Sequence, residues 1–244
     1  MNVVYFINDK PVEWGTLSVS EYTDTYVPSC WEPVFKLATE KGIFPEIDSR
    51  LKEHSTFKIY PPMPLVFNAL ESLSPEKIKV VIIGQDPYVK QGEAMGWSFS
   101  VPDGTRIPPS LRNIYSELER EGYTGYAGRD TGDLYPWIKK GVFLYNTCLT
   151  VDAGVSGSHG DIWEDFTKMV IANIQKEANY VAWILLGAKA QQYERQIILD
   201  NCCILKAGHP SPLNRSGGFL GSGVFKKASN FLHSKGIKFT WNLK

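Results

Sequence analysis

The chain has 244 residues, of which 43% are hydrophobic, and this length and apolar content suit one α/β domain, or two small ones, with a substantial core. Lysine plus arginine and aspartate plus glutamate both number 26, so the net charge is zero and the bulk composition indicates no acidic partner. Any nucleic-acid function must therefore rest on local residues.

Strand-like runs alternate with helical patterns along the chain. Runs rich in β-branched and aromatic residues lie at residues 78–83, 142–145, 180–186 and 202–206, with a weaker one at 237–241. Helices are expected at residues 31–41, 64–73, 110–120, 163–175, 188–199 and 226–234. This alternation predicts an α/β fold with a mostly parallel sheet that is covered on both faces.

No low-complexity tract, charge block or long linker divides the chain, and no internal repeat is found. One domain is therefore expected over residues 29–244. Residues 1–28 have weak periodicity and are expected to form an N-terminal arm of unknown role.

Metal-ligating residues and targeting signals are sparse. The cysteines show no CxxC spacing and the four histidines are scattered, so no zinc site can be assembled from spacing alone, and reduced thiols are expected. Acidic and amide residues interrupt the amino-terminal segment, where a signal peptide needs an apolar core, and no apolar run approaches the length of a membrane span. The expectation is a soluble intracellular protein of the cytoplasm or nucleus that does not bind membranes.

Polar residues follow the predicted strands. Residues 80–83 are four β-branched apolar residues, typical of a strand buried on both faces, yet polar side chains follow at once. The residues at the strand ends are Gln85, Asp86 and Tyr88 after the first strand, Asn146 after the second, Gly187 after the third, and His209 and Ser211 after the fourth. Ligands of such sheets bind beyond the carboxyl ends of the strands. A carboxylate, an amide, an imidazole and an aromatic ring in one cleft favour a flat ligand with hydrogen-bonding edges.

Each of these residues also has a purely structural interpretation. Asp86 before a proline is a common turn residue, Asn146 can simply end a strand, His209 can be a loop histidine, and Phe99 can be core. The glycine-rich residues 216–223 offer a nucleotide-binding alternative, but they lack the GxxxxGK[ST] pattern, and GxGxxG is absent after the first strand. The joint position of the polar residues at strand ends favours a functional site.

Seven segments resemble, in order and spacing, the family 1 uracil-DNA glycosylases. They are GQDPY (84–88), FSV (99–101), PPSLRNIY (108–115), GVFLYNTCLTV (141–151), SHGDIWEDFT (158–167), LLGAKAQ (185–191) and HPSPL (209–213). The resemblance covers about residues 31–243 and implies a three-layer α/β/α fold with a central four-stranded parallel sheet. It also implies a monofunctional DNA glycosylase, with no metal and no cofactor, that removes uracil from DNA and initiates base-excision repair.

The resemblance assigns two catalytic residues and a uracil pocket. Asp86 would orient the attacking water and favour the cationic sugar, while His209 would donate a hydrogen bond to uracil O2 as a neutral imidazole. Asn146 would accept from uracil N3–H and donate to O4, a pattern that cytosine presents in reverse. By the same resemblance, Tyr88 blocks the thymine methyl group, Phe99 stacks on the base and Gln85 lines the pocket.

The resemblance also assigns a DNA-binding surface. The residues expected to hold phosphates are Pro108, Pro109, Ser110, Gly187, Ala188 and Ser211. Leu213 matches the residue that the family inserts into the base stack, and Arg215 lies close to a position where arginine is usual. The implied partners are single- and double-stranded DNA containing uracil and a proteinaceous glycosylase inhibitor, and the implied state is a monomer.

Three positions depart from the family pattern, and two rival functions are disfavoured by the residues that match it. Val89 replaces a common histidine, Ala188 a serine and Gly217 an arginine. A mismatch-type glycosylase with looser base choice is disfavoured by the intact Tyr88 and Asn146. A DNA-binding module that serves only as a platform for a replication protein is disfavoured by the retained catalytic pair.

Overall fold

The structure is a computed structural model that describes residues 6–7, 10–11, 14–54, 58–198 and 200–243. The strands are β1 (Phe6–Ile7), β2 (Lys10–Pro11), β3 (Ile59–Tyr60), β4 (Val80–Gly84), β5 (Val142–Asn146), β6 (Val151–Asp152), β7 (Val181–Leu186) and β8 (Cys202–Ala207). The α-helices are α1 (Val19–Thr25), α2 (Glu32–Glu40), α3 (Ile43–Lys52), α4 (Asn68–Ser72), α5 (Pro109–Arg120), α6 (Tyr135–Ile138), α7 (Glu164–Glu177), α8 (Ala188–Gln191) and α9 (Val224–Ser234). Short 3₁₀ helices lie at Ser29–Trp31, Met63–Leu65, Pro75–Lys77 and Gln192–Gln196.

A four-stranded parallel sheet in the order β5-β4-β7-β8 forms the centre of the fold. Every residue of β4, β5 and β7 is buried, so both faces of these strands are covered. The short strands pair antiparallel, β1 with β2 and β3 with β6. The four predicted strands and the predicted α/β/α fold class are confirmed.

Two aromatic clusters help to fasten the helices to one another and to neighbouring segments of the chain. In one, the ring of Phe35 on α2 lies 5.4 Å from that of Phe166 on α7 and 5.0 Å from that of Phe67, between centroids. In the other, the Trp241 ring lies 5.0 Å from Trp137 on α6 and 5.1 Å from Phe225 on α9. Such edge-to-face pairs add stability beyond the apolar area that they bury.

Three predicted elements differ from the structure. Residues 237–241, expected as a weak strand, form no strand: the Trp241 indole N–H donates to the Phe225 carbonyl at 2.9 Å, and this apolar segment packs into the core as coil. The helix expected at 64–73 is divided into Met63–Leu65 and α4, and the helix expected at 188–199 into α8 and Gln192–Gln196. In these cases apolar spacing reflects burial, which irregular backbone achieves as well as a regular element.

The amino-terminal segment contributes to the core. Ser18 and Glu21 form a reciprocal capping box at the start of α1, and Val19 and Tyr22 are buried. The Asp48 carboxylate of α3 accepts hydrogen bonds from the backbone N–H groups of Val19 at 2.7 Å and of residue 20 at 3.0 Å. A domain boundary at residue 28 stays a prediction. None of the described helices combines the length and hydropathy that a membrane span requires.

Candidate active site

A cleft of about 210 Å³ opens beyond the carboxyl ends of β4 and β5. Its lining contains eight of the residues predicted from the sequence: Gln85, Asp86, Tyr88, Phe99, Ser110, Asn146, His209 and Ser211. Val89, one of the departures from the family pattern, also lines it. The position follows from the parallel sheet, because neighbouring strands deliver the segments that follow them to the same edge.

Gly84 makes room for the amide of Asn146. The two residues are partners in the register of β4 and β5, and Asn146 is buried. A Cβ atom on Gly84 would lie 2.4 Å from Asn146 Oδ1 and 3.0 Å from Ser98 Cβ, closer than packed atoms approach. Sequence reasoning did not select Gly84, although a glycine that ends a run of four β-branched residues was a usable signal.

Phe99 is held in a strained backbone conformation. Its φ of 64° is the one positive value at a non-glycine residue within the described ranges. Its carbonyl accepts a hydrogen bond from the Tyr88 hydroxyl at 2.9 Å, and its ring centroid lies 5.9 Å from that of His209. Burial raises the pKa of the Tyr88 phenol, which therefore remains a protonated donor. The rings of Tyr88 and Phe99 thus form a fixed wall of the cleft.

His209 is oriented as a neutral imidazole. Its Nδ1 accepts a hydrogen bond from the Ser211 N–H at 3.1 Å, so the neutral ring carries its proton on Nε2. Burial lowers the pKa of the imidazole below its ordinary value, although the Asp86 carboxylate acts in the opposite direction. Gly187 permits this packing, because a Cβ there would lie 2.9 Å from the His209 Cβ. The Gly187 N–H donates to the Ala207 carbonyl at 3.0 Å.

The Asp86 carboxylate is fixed by a loop that sequence reasoning did not identify. Its Oδ2 accepts hydrogen bonds from the Ser156 hydroxyl at 2.7 Å and from the Gly157 N–H at 2.9 Å. The preceding carbonyl, of Gln85, accepts from the Cys148 N–H at 2.9 Å. Both interactions tie the segment after β4 to the chain that follows β5, so the carboxylate has little freedom to turn.

The loop after β8 presents Leu213 to solvent. Leu213 is 87% exposed, and its N–H donates to the Ser211 hydroxyl at 3.2 Å. The Asn214 amide donates to the His209 carbonyl at 3.1 Å and to the Gly217 carbonyl at 3.0 Å. The exposed leucine is therefore held on a braced loop, and Asn214 is a brace that the sequence did not reveal.

The start of α5 lies beside this loop. Pro109 occupies the first helical position, where its missing N–H costs no hydrogen bond, and Ser110 reaches the cleft. The Asn113 amide donates to the Pro210 carbonyl at 2.7 Å, which joins α5 to the loop. Of the remaining predicted DNA-binding residues, Pro108 is the buried N-cap of α5, while Ala188 at the start of α8 and Arg215 are exposed.

One cluster of possible metal ligands occurs among the described residues. It comprises His54, Asp152 and His159, which do not belong to the lining of the cleft. The sequence concealed it, because residues 54 and 159 are far apart along the chain and share no ligand-spacing motif.

Comparisons with known proteins place this geometry in a family. The model of the "Uracil DNA glycosylase superfamily" matches residues 71–233. The uracil-DNA glycosylase of Dichelobacter nodosus is 46% identical over 178 residues, which cover 72% of this chain and 77% of that protein. That of Campylobacter fetus is 41% identical over 220 residues, covering 89% and 94%.

Solved structures show the same relationship. The crystal structure of mimivirus uracil-DNA glycosylase has a TM-score of 0.82 and 30% identity, covering 89% of this chain and 87% of that one. A mimivirus variant in complex with UGI also has a TM-score of 0.82, at 31% identity and 89% coverage of both chains. The fold, the cleft at its sheet edge and these relatives together establish that the chain belongs to the uracil-DNA glycosylase superfamily.

Proposed function

We infer that this chain is a uracil-DNA glycosylase, which flips uracil out of DNA and hydrolyses its N-glycosidic bond to leave an abasic site for base-excision repair. The observation that carries the inference is the convergence of Asp86, Phe99, Asn146 and His209 in one cleft at the carboxyl edge of the sheet. A flipped base is flat and presents hydrogen-bonding edges, and these side chains match those properties.

Bond cleavage separates charge, and the cleft holds a group for each charge. The sugar becomes positive as the bond breaks, and the Asp86 carboxylate stabilises it and orients the attacking water. The hydrogen bonds from Ser156 and Gly157 support this role, because they hold the carboxylate before the substrate arrives. Groups that are oriented in advance need no reorganisation during the reaction.

The departing uracil becomes negative, and His209 stabilises that charge. The Ser211 N–H occupies Nδ1, so the neutral ring offers its Nε2–H as the donor to uracil O2. Burial lowers the pKa of His209, which keeps the ring neutral near pH 7. The role is electrostatic, since the imidazole donates a hydrogen bond without transferring its proton.

Base choice depends on Asn146 and Tyr88. The Asn146 amide accepts from uracil N3–H and donates to O4, and cytosine would place a donor against a donor. Tyr88 faces the position of a C5 methyl group, so thymine is excluded sterically. The hydrogen bond from Tyr88 to the Phe99 carbonyl supports this assignment, because it restrains the phenol.

DNA is held on the surface around the cleft. The Ser110 and Ser211 hydroxyls and the backbone N–H groups of Ser110 and Ala188 contact phosphates. Arg215 is the nearby cation, and Leu213 fills the space that the base vacates. Both single- and double-stranded DNA are substrates, and the protein acts as a monomer. The mimivirus complex with UGI supports an inhibitor protein of that kind as a further partner.

A cleavage assay tests the function. The protein is incubated with a uracil-containing oligonucleotide and a chelator, and abasic sites are then cleaved with alkali. Wild type is expected to give strand scission, and Asp86→Asn to lose about two to four orders of magnitude in kcat. Loss of one preorganised electrostatic group typically accounts for about two to three of these. No scission at high protein concentration, with DNA binding intact, would instead favour the non-catalytic DNA-binding module.

A further inference from the structure

Two of the four histidines share one buried carboxylate away from the cleft. His54 Nδ1 lies 2.7 Å from Asp152 Oδ2, and His159 Nε2 lies 3.0 Å from Asp152 Oδ1. The His159 and Asp152 side chains are 0% and 4% exposed, whereas that of His54 is 26% exposed. The cluster is therefore enclosed by protein on the Asp152 side and reachable from solvent at His54.

These three groups have the composition of a transition-metal site. The candidate ligand atoms all lie within 4.8 Å of one another, so small side-chain movements bring them around one ion. Two imidazoles and one carboxylate are a common ligand set for zinc, with water in the fourth position. Imidazole nitrogen also favours Zn²⁺ and the ions of copper, iron and nickel over Mg²⁺ or Ca²⁺.

The groups behind the ligands also fit an ion. A metal-bound histidine normally donates its second ring N–H to an acceptor, which fixes the tautomer. His159 Nδ1 lies 2.7 Å from the Thr150 hydroxyl oxygen, which also accepts from the Trp163 indole N–H at 2.6 Å. A hydroxyl oxygen has two lone pairs, so Thr150 accepts both hydrogen bonds when His159 Nε2 binds metal.

We propose that His54, Asp152 and His159 form a binding site for a divalent transition-metal ion such as Zn²⁺. Asp152 and His159 flank the loop that carries Ser156 and Gly157, the two donors to the catalytic candidate Asp86. A bound ion joins both ends of this loop to His54 and thereby stabilises the loop. The ion takes no part in bond cleavage, because its ligands lie outside the cleft lining, and the chelated protein remains active.

The test measures binding of Zn²⁺ alone to the full chain after chelator treatment and dialysis. Competition with a chromophoric chelator gives the affinity, thermal unfolding gives the stabilisation, and Co²⁺ substitution reports coordination by visible absorption. Wild type should bind one ion per chain with a rise in melting temperature. His54→Ala and Asp152→Asn should each lose roughly 100-fold or more in affinity, because even loss of an outer-shell partner costs 10- to 100-fold.

His233→Ala is the matched control, since it removes a histidine outside the cluster and should bind Zn²⁺ like wild type. Circular dichroism checks the folding of each variant. If Asp152→Asn fails to fold, the partly exposed His54 decides the question alone. The proposal is overturned if wild type binds no ion stoichiometrically, or if His54→Ala binds as tightly as wild type. Either result would leave the cluster as a hydrogen-bonded network that holds the loop without metal.

Discussion

Replacing the exposed Leu213 by alanine should impair activity on duplex DNA without harming the fold. The residue is 87% exposed, and substitutions at such surface positions usually change the free energy of unfolding by no more than about 0.5 kcal/mol. A loss of activity in Leu213→Ala therefore cannot be attributed to unfolding. In the proposed function, such a loss of activity shows that the Leu213 side chain fills space within the DNA.

The size of the effect follows from the apolar groups that are removed. Leucine to alanine deletes three carbon groups, each contributing about 0.8 kcal/mol when fully buried, so complete burial in the base stack corresponds to about 2.4 kcal/mol. Incomplete burial lowers this figure, and a vacated cavity raises it. We expect kcat/KM on duplex uracil DNA to fall roughly 10- to 100-fold, equivalent to about 1.4 to 2.8 kcal/mol.

The assay compares activity on one DNA sequence in double-stranded and in single-stranded form. Rates are measured under kcat/KM conditions on a duplex and on the corresponding short single strand, which has little stacking to replace. The single strand should show a clearly smaller loss. Ile198→Ala, which removes an apolar side chain that is 77% exposed, serves as the control and should leave both rates unchanged. Equal losses on the two substrates would refute the insertion of Leu213 into the stack.

Three further changes probe the cleft. Gly84→Ala should lower kcat/KM at least tenfold and the free energy of unfolding by about 1–3 kcal/mol, because the added Cβ would lie 2.4 Å from Asn146 Oδ1; unchanged kinetics would contradict the packing argument. The pKa of His209 is lowered from 6.5 by burial, so kcat/KM should persist below that pH and fall only at more acidic pH, and this acid limb should be absent from His209→Ala. Because the pKa of His209 is lower in the folded protein than in the unfolded chain, the unfolded chain takes up a proton at a higher pH. The contribution of His209 to the free energy of unfolding should therefore decrease as pH falls through the interval between these two pKa values, which denaturant titration at several pH values can check. Tyr88→Ala should release thymine weakly, and a variant that leaves thymine wholly intact would remove Tyr88 from base selection.

The sheet and the cleft could be predicted because they depend on local pattern and on one geometric rule. Residues 80–83 are apolar on both faces, which identified a central strand. The parallel arrangement then required Asp86, Asn146 and His209 to meet at one edge, although they are distant along the chain. Their chemical types indicated the class of ligand.

The groups that support these residues could not be predicted in the same way. Ser156 and Gly157 lie in a loop with no periodicity, and nothing in its composition indicates that it folds back onto Asp86. The contact between His54 and Asp152 spans 98 positions, and no spacing motif records it. Such contacts depend on the assembled tertiary structure, which local patterns do not encode.

The braced loop after β8 carries both Leu213, the side chain proposed to enter the DNA, and His209, the ring proposed to contact the leaving base. His209 begins the loop and Leu213 lies four positions later, and Asn214 fastens the His209 carbonyl to the far side of the turn. In the proposed function, the side chain that enters the DNA and the ring that meets the leaving base therefore advance as one rigid unit. A base that stays in its stack keeps Leu213 out and so also keeps the imidazole away. In the proposed function, the loop therefore couples entry of Leu213 into the DNA to placement of His209, so a nucleotide that has not left the helix does not meet the imidazole.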